Sequence, residues 1–519
     1  MKPIRRGYLA LAVFTAGMTT LAVELSASRL LGNIFGTSNL VWANIIGLIL
    51  IYLTAGYFIG GRWADRSPHP ATFFNLLAWG AFASGLVPLA ARPVLLLAAR
   101  AVEAFDAAVM AGSFLGVLVL FSVPITLLGC VSPFAIRLAL TDSRHAGRVS
   151  GQLYAISTLG SIAGTFLPTL WLIPTLGTLR TFLLFAGLLM VVALGGLWQV
   201  DRRRALVSLW MPLAVALLAA FSLSGSLKPA AGLIYERESA YNFIQVVQRG
   251  DTRYLLLNEG QGVHSVFDPE MPVTLGTWDY FLAAPFWNES PAPGEEVARL
   301  GIVGLAAGTI AKQYTQVYGP IPIDGWEIDG GITQVGREYF DMREPNLNVI
   351  IADGRWGLAH SDEAYSVVAV DAYRLPYIPW QLTTREFFEQ VRAHLLEDGV
   401  VVINVGRTPD DRRLVDGMVG TLASVFPSVH VVDVPATFNT IVYATMRPTD
   451  PGNLVANLDR LAQGDADPLL VDVLARTLAN LRPTPDSSVV FTDDRAPIEQ
   501  LTNAVALRFL LTGDMGILQ

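Results

Sequence analysis

Seven stretches in the first 228 residues stay apolar for about the thickness of a bilayer. They fall near 8–31, 38–60, 71–91, 107–128, 151–174, 179–199 and 205–226, each close to the roughly 20 residues a crossing helix needs. They predict a multi-pass α-helical membrane domain over 1–228. The stretch 92–106, with Arg92, Arg100, Glu103 and Asp106, is amphipathic and predicts a segment at the interface. Past Lys228-Pro229 the period shortens. "NFIQVVQRG" and "TRYLLLNEG" read as a hairpin turning at Gly250-Asp251, and "GVHSVFD" extends it to a small antiparallel β unit within 229–290. A helix is expected over 276–288. From there strands near 298–304, 321–328, 347–352, 365–371 and 399–405 alternate with helical patterns, which predicts a mostly parallel, doubly wound α/β domain over 291–450. Runs at 428–434 and 440–446 read as an antiparallel pair closing the sheet, and 451–519 as a helical extension.

Charge separates the same two halves. Residues 1–228 carry 16 basic and 6 acidic side chains, residues 229–519 carry 20 and 38. A basic, charge-poor half followed by a strongly acidic one fits a membrane domain joined to a water-exposed domain. The acidic half would repel phosphates, which argues against a nucleic-acid partner. With Cys130 as the single cysteine and six scattered histidines, no metal site and no disulfide framework is expected.

Lys2, Arg5, Arg6, Arg62, Arg66, Arg137, Arg144, Arg148 and Arg202–Arg204 all fall on one side of the predicted spans, the side that positive loops place in the cytoplasm. Seven crossings then put the acidic half outside. Glu24 and Arg29, in or near the first span, are expected as an ion pair or an interfacial anchor, with a transport role as the alternative. "GYFIGGRWADRSP" (56–68) is similar to the loop between helices two and three of major facilitator transporters, although seven helices are too few for their twelve.

In a doubly wound sheet, ligands lie at the carboxyl ends of the strands, so the residues ending each run carry the chemistry. The first run ends in "GLAAGT", with Gly304 and Gly308 allowing a ligand close to the backbone. The second ends in Glu327 ("GWEIDGG"), about twenty residues on, the spacing at which an acid accepts from ribose hydroxyls. The third ends in Asp353-Gly354 ("IIADG") and the fourth in Asp371 ("SVVAVDAY"). Each acid by itself is also a plain helix cap; three at successive strand ends point to a nucleoside site.

With these motifs in order, residues 235–405 resemble the spermidine synthase (polyamine aminopropyltransferase) family in its membrane-attached form, whose fold is a Rossmann-like, methyltransferase-type sheet. The resemblance implies Glu327 as ribose ligand, Asp353 and Gly354 at adenine and Asp371 as catalytic base. "LTTREFFEQVRAHLLEDGVVVINV" (382–405) is similar to the helix and strand that follow. "SAYNFIQVV" resembles the family's entry strand, with Asn242 where Gln is usual. "TDDRAP" (492–497) also looks like the membrane-attached form, with Asp494 as a candidate ligand or a helix cap. The implied co-substrate is an S-adenosyl-type nucleoside, S-adenosylmethionine or its decarboxylated form, with an amine as acceptor and no tightly bound cofactor.

Two positions depart from the family. Ala307 stands where its glycine-rich loop carries Asp, and Arg374 where a second acid follows the base. Two lost acids and an added guanidinium disfavour a dicationic amine, and Tyr373 and Arg374 become candidates for binding an anionic group. Methyl transfer by the same sheet, and nucleoside binding without turnover by a transporter or sensor, are the alternatives. A multi-pass protein of the cell membrane is expected, in contact with the lipid bilayer. The side of its acidic half stays open, because S-adenosyl compounds are cytoplasmic. By family analogy the small β unit is a homodimer surface.

Overall fold

The structure, a computed structural model, describes residues 5–35, 39–103, 108–140, 142–222, 230–258, 262–270, 274, 276–289, 297–373, 378–408, 411–464 and 466–502. It forms two compact units, Met1–Pro229 with Glu236–Phe243, and Ala230–Tyr235 with Ile244–Gln519.

The first unit is built of helices: α1 (Arg6–Phe35), α2 (Asn39–Arg66), α3 (Pro70–Glu103), α4 (Ala108–Gly129), α5 (Val131–Ala139), α6 (Ala146–Leu167), α7 (Ile173–Leu176), α8 (Thr178–Val200), α9 (Arg202–Val207) and α10 (Trp210–Ser222). A π-helical turn at Pro168–Leu172 joins α6 to α7. Seven spans among the described residues are long and apolar enough to cross a membrane, from Arg6–Gly32 to Arg202–Phe221, in the places the hydrophobic pattern marks. Small residues let these helices touch. Gly160 and Gly164 of α6 lie against the backbone of Phe14 and Met18 in α1, with no room for a Cβ, the close approach that small residues four apart permit between apolar helices.

Two expectations change here. "GYFIGGRWADR" is not a loop: α2 continues to Arg66, because Gly56 and Gly60 form a face that packs on Thr126, Gly129 and Cys130. The stretch 92–103 is not separate from the third span but the helical end of α3, which continues through Pro88 and Pro93; residues 104–107 lie outside the described set. Arg29 donates to the Ala240 carbonyl within this unit.

Four antiparallel strands follow in the order β1 (Leu233–Glu238), β2 (Phe243–Arg249), β3 (Thr252–Leu257) and β4 (Val263–Phe267), with β2 and β3 turning at Gly250-Asp251. The expected helix at 276–288 is a 3₁₀ segment, Thr277–Trp287, with Pro285 inside it. The main sheet then forms from β5 (Leu300–Val303), β6 (Ile323–Glu327), β7 (Leu347–Ile351), β8 (Tyr365–Val370), β9 (Leu395–Gly406), β10 (Ser428–Asp433), β11 (Asn439–Thr445) and β12 (Leu481–Arg482). Its order is β12-β10-β11-β9-β8-β5-β6-β7. Strands β9, β8, β5, β6 and β7 run parallel, while β11, β10 and β12 close the sheet antiparallel.

Alternate residues of the central strands supply two cores, as period two requires. Ile302, Val367, Ala369, Val400 and Val402 pack on the 3₁₀ segment, α11 (Thr309–Tyr318), α16 (Pro451–Ala462) and α17 (Pro468–Ala479). Val303, Val368, Val370, Val401, Ile403 and Val405 pack on α14 (Arg385–Ala393), α15 (Arg413–Ala423) and Phe491. The remaining helices, α12 (Gly330–Tyr339) and α13 (Gly354–Ala359), start just beyond β6 and β7. The C-terminal stretch is helical over α16 and α17 and again over 498–502, with non-helical chain between Ala479 and Ile498; residues 503–519 lie outside the described set. Residues 480–498 add β12 and an extended strap whose Phe491 and Ile498 are buried among α14 and α15.

Candidate active site

The chain leaves β5 toward β6 and leaves β8 toward β9, so the connections diverge between these two neighbours and a crevice opens at their carboxyl ends. Gly304 lines it, with φ at +91°, and a Cβ there would come within 2.6 Å of Ala372 Cα. Only glycine combines that backbone conformation with that approach. The sheet order sets the sequence of groups across the crevice: Asn404 on β9, Asp371 after β8, Gly304 after β5, Glu327 on β6, Asp353 after β7. Each step is one strand spacing, about 4.8 Å.

Asp371 is half-buried. Its N–H donates to Val303 O at 2.9 Å, which fixes the backbone against β5. Burial pushes its carboxyl up to about 7, against the opposing effect of hydrogen bonds from Asn404 and Trp278. Asn404 Nδ2 donates to Asp371 Oδ1 at 3.0 Å, and Asn404 Oδ1 is buried with no hydrogen-bond partner among the described residues. Tyr373 donates its hydroxyl to Asn404 O at 3.2 Å. Burial, then the charge of Asp371, raise that phenol well above its usual range. A carboxylate with a pKa near neutrality in a partly closed crevice can accept a proton from a bound ammonium.

Glu327 is 7% exposed. Its Oε2 accepts from Ala306 N–H at 2.9 Å and its Oε1 from Asp329 N–H at 3.0 Å. The first bond pins the loop after β5, where Ala306 sits at φ +48°. Burial raises the carboxyl to about 7; the backbone donors of Asp329 and Ala306 oppose the rise, and the charge of Asp329 adds to it. Each oxygen keeps a further lone pair for a hydroxyl donor. Asp329 is a cap, accepting from Gly331 N–H. Asp353 is one too, accepting from Trp356 N–H at 3.0 Å, so the bland reading of a strand-end acid holds for its Oδ1. Gly354 packs on Val303, and Gly308, at φ +88°, precedes α11. Ala307, where the resemblance called for an acid, is buried among Ile244, Val246, Leu255 and Ile332, with its N–H on Ser265 Oγ.

Asp371, Tyr373, Gly304, Gly308, Glu327, Asp353 and Gly354 therefore gather at one end of the sheet. Asn242 closes the β1–β2 turn, its N–H donating to Ser239 Oγ at 2.8 Å, within the stretch that belongs to the first unit. Asp494 is exposed in the 492–495 turn, and its neighbour Asp493 makes the structured contacts instead. Arg374 lies outside the described residues. Sequence reasoning passed over Asn404 and Trp278. Asn404 stands at the end of a predicted strand, where the strand-end rule would have found it, whereas only the tertiary fold brings Trp278 to Asp371.

No family model matches the chain. A probable polyamine aminopropyl transferase from Bifidobacterium longum is 34% identical over 285 residues, covering 52% of this chain and 62% of that protein. A polyamine aminopropyltransferase from Vibrio vulnificus is 26% identical over 256 residues, covering 46% of this chain and 79% of the relative. This chain is similar to polyamine aminopropyltransferases, the enzymes of the spermidine synthase family. It matches less than two thirds of the Bifidobacterium relative's length. Among solved structures, a probable spermidine synthase from Corynebacterium glutamicum aligns with 46% of this chain and 89% of its own, at 22% identity and a TM-score of 0.38. Glu327, Asp353 and Asp371 stand at the ends of the strands that the hydrophobic pattern assigned to them.

Proposed function

We propose that this protein is a membrane-anchored alkyl-chain transferase that moves an aminopropyl-type group from an S-adenosyl-type sulfonium to an amine. The observation that carries the reading is the linear order Asp353, Glu327, Gly304, Asp371 across adjacent strand ends. A nucleoside sulfonium has the same order of parts: base, ribose, sulfur, then the carbon under attack. Asp353 and Gly354 would meet the base, and the exposed Ile328 beside Glu327 offers an apolar surface to a flat ring. Glu327 would accept from the ribose hydroxyls. Gly304 leaves room for sulfur near the backbone.

When bound, the donor supplies a carbon made electrophilic by its positive sulfur. Asp371 takes one proton from the acceptor's ammonium, which frees the nitrogen lone pair. That lone pair forms the new C–N bond, the C–S pair returns to sulfur, and the products are a neutral thioether nucleoside and the alkylated amine. The Asp371 carboxylate also attracts the cationic acceptor, and alignment across the crevice supplies much of the rate. The buried Ala307 provides no carboxylate for a second cationic centre, which favours a donor or acceptor that carries an anionic group.

Product analysis tests the reading. Protein incubated with each sulfonium and a panel of amines should release methylthioadenosine, whereas release of S-adenosylhomocysteine establishes methyl transfer instead. Efficient spermidine formation from decarboxylated S-adenosylmethionine and putrescine would refute the anionic-group preference. The seven apolar spans support a multi-pass protein of the cell membrane, and the accessibility of a tag at Gln519 reports the side on which the catalytic unit lies.

A further inference from the structure

Three arginines converge on one buried carboxylate, on the side of Asp371 away from Glu327 and Asp353. The carboxylate is Asp433, which ends β10 and is 6% exposed. Its Oδ1 accepts from Arg407 Nε at 3.1 Å, Arg412 Nη1 at 3.0 Å and Thr440 Oγ1 at 2.7 Å. Its Oδ2 accepts from Arg412 Nη1 at 2.9 Å and Arg482 Nε at 3.0 Å. None of the three guanidiniums pairs with a second acid among the described residues. The adjoining Asp411 is occupied by Arg413, which holds both its oxygens. Asp416, in the first turn of α15, feels the charge of Arg412 but makes no ion pair with it. One bidentate arginine satisfies one carboxylate, so two positive charges are surplus here. The surplus lies at the guanidinium ends. Arg407 and Arg482 reach Asp433 through Nε alone, and their Nη atoms bond to no described residue. Side-chain exposure rises from 12% at Arg407 to 32% at Arg412 and 56% at Arg482, a recess that opens toward solvent.

Sheet topology sets this recess beside the crevice. Strands β9 and β10 both pair antiparallel with β11, and β8 runs parallel to β9, so Asp433 and Asp371 share the carboxyl end of the sheet. Arg407 follows Asn404, whose amide holds Asp371, by three residues. Its Nε donates to Thr440 Oγ1 on β11 at 3.1 Å. Strand β11 is the second neighbour of β8, which sets that guanidinium about 10 Å across the sheet from Asp371 at one strand spacing per step. Resting on the reading that Asp371 takes a proton from an acceptor amine, we propose that Arg407, Arg412 and Arg482 form an oxyanion site for the acceptor. The acceptor is then an amine whose carboxylate or phosphate lies about 10 Å from the reacting nitrogen. Guanidinium forks match the paired oxygens of either group. Burial, together with the charges of Arg412 and Arg482, lowers the Arg407 guanidinium pKa against the pull of Asp433. A bound anion relieves that repulsion.

The test measures initial rates of methylthioadenosine release by the full-length protein in detergent. Acceptors are ω-amino carboxylates and ω-aminoalkyl phosphates of graded length, set against alkylamines and diamines of the same lengths. Wild type should favour an anionic acceptor of matching length over the alkylamine by about tenfold or more in kcat/KM, the worth of one charge-assisted contact. Arg482→Gln leaves Arg407 and Arg412 on Asp433, and should cut that ratio by about three- to tenfold; Arg407→Gln should do the same. An arginine with only a structural role would slow both acceptors in proportion and leave the ratio where it was. Inorganic phosphate tests the site without any variant: it should compete with the anionic acceptor and not with the alkylamine. A wild type that favours the diamine or the alkylamine overturns the proposal. So does a ratio that the variants leave unmoved, or phosphate that acts on both acceptors alike. Wild-type protein that releases no methylthioadenosine with any amine refutes the transfer reading and the proposal with it, a result distinct from turnover without a preference for the anion.

Discussion

Replacing Asp371 by Asn removes the proton acceptor while keeping the side chain's volume and its place beside Asn404 and Trp278. Two effects of opposite sign follow. A positioned general base contributes about 10²–10⁴-fold to rate, so turnover should fall by that factor. Stability should move the other way. The carboxyl titrates at about 7 in the fold against a usual 3.8, so between those values the unfolded chain has released a proton that the fold still holds. Stability therefore falls as pH rises through that window, and above it the fold carries the full cost of an ionised, half-buried acid. At about 1.4 kcal/mol per pKa unit the cost is at most about 4 kcal/mol, reduced by the acid's partial exposure. An amide bears none of it. At pH 8 the variant should melt at or above the wild-type temperature while losing at least about a hundredfold in turnover. The assay pairs methylthioadenosine release with thermal unfolding of the same detergent-solubilised sample. Retained activity refutes the base. Activity lost together with a lower melting temperature shows that Asp371 is structural.

Other outcomes follow from the same geometry. If Glu327 accepts from the donor's ribose hydroxyls as proposed, Glu327→Gln should raise donor KM by about 10- to 100-fold, with a smaller change in kcat, in initial-rate measurements. Asn404→Ala removes a hydrogen bond that lowers the Asp371 pKa, so the acid limb of the pH–rate profile, expected near pH 7 in the wild type, should shift to higher pH; an unmoved limb assigns it to another group. Gly304→Ala drives a Cβ to 2.6 Å from Ala372 Cα at positive φ, and should cost about 2–5 kcal/mol of stability with loss of turnover, measured as a lowered melting temperature.

The seven apolar spans, the hairpin at Gly250-Asp251 and the strands ending in Glu327, Asp353 and Asp371 were legible from consecutive residues, because helix and strand periods are local properties. The switch from a long apolar period to alternation at Lys228-Pro229 likewise separates a half of long apolar helices from a half of strands and amphipathic helices within a single chain. The helical continuation to Arg66 was not legible, since glycines read as a loop until Thr126 and Gly129 are seen to fill the space beside them. Nor was the division within "TDDRAP", where only the first of two adjacent acids meets Arg355. Local pattern placed the acids at strand ends, but it could not say which strands are neighbours. Sheet order did that. It set Asp371 and Glu327 on either side of Gly304 and brought Asn404 and Trp278, 126 positions apart in the chain, onto one carboxylate. Long-range pairing determines burial, and burial is what lifts two ordinary acids to a pKa near neutrality.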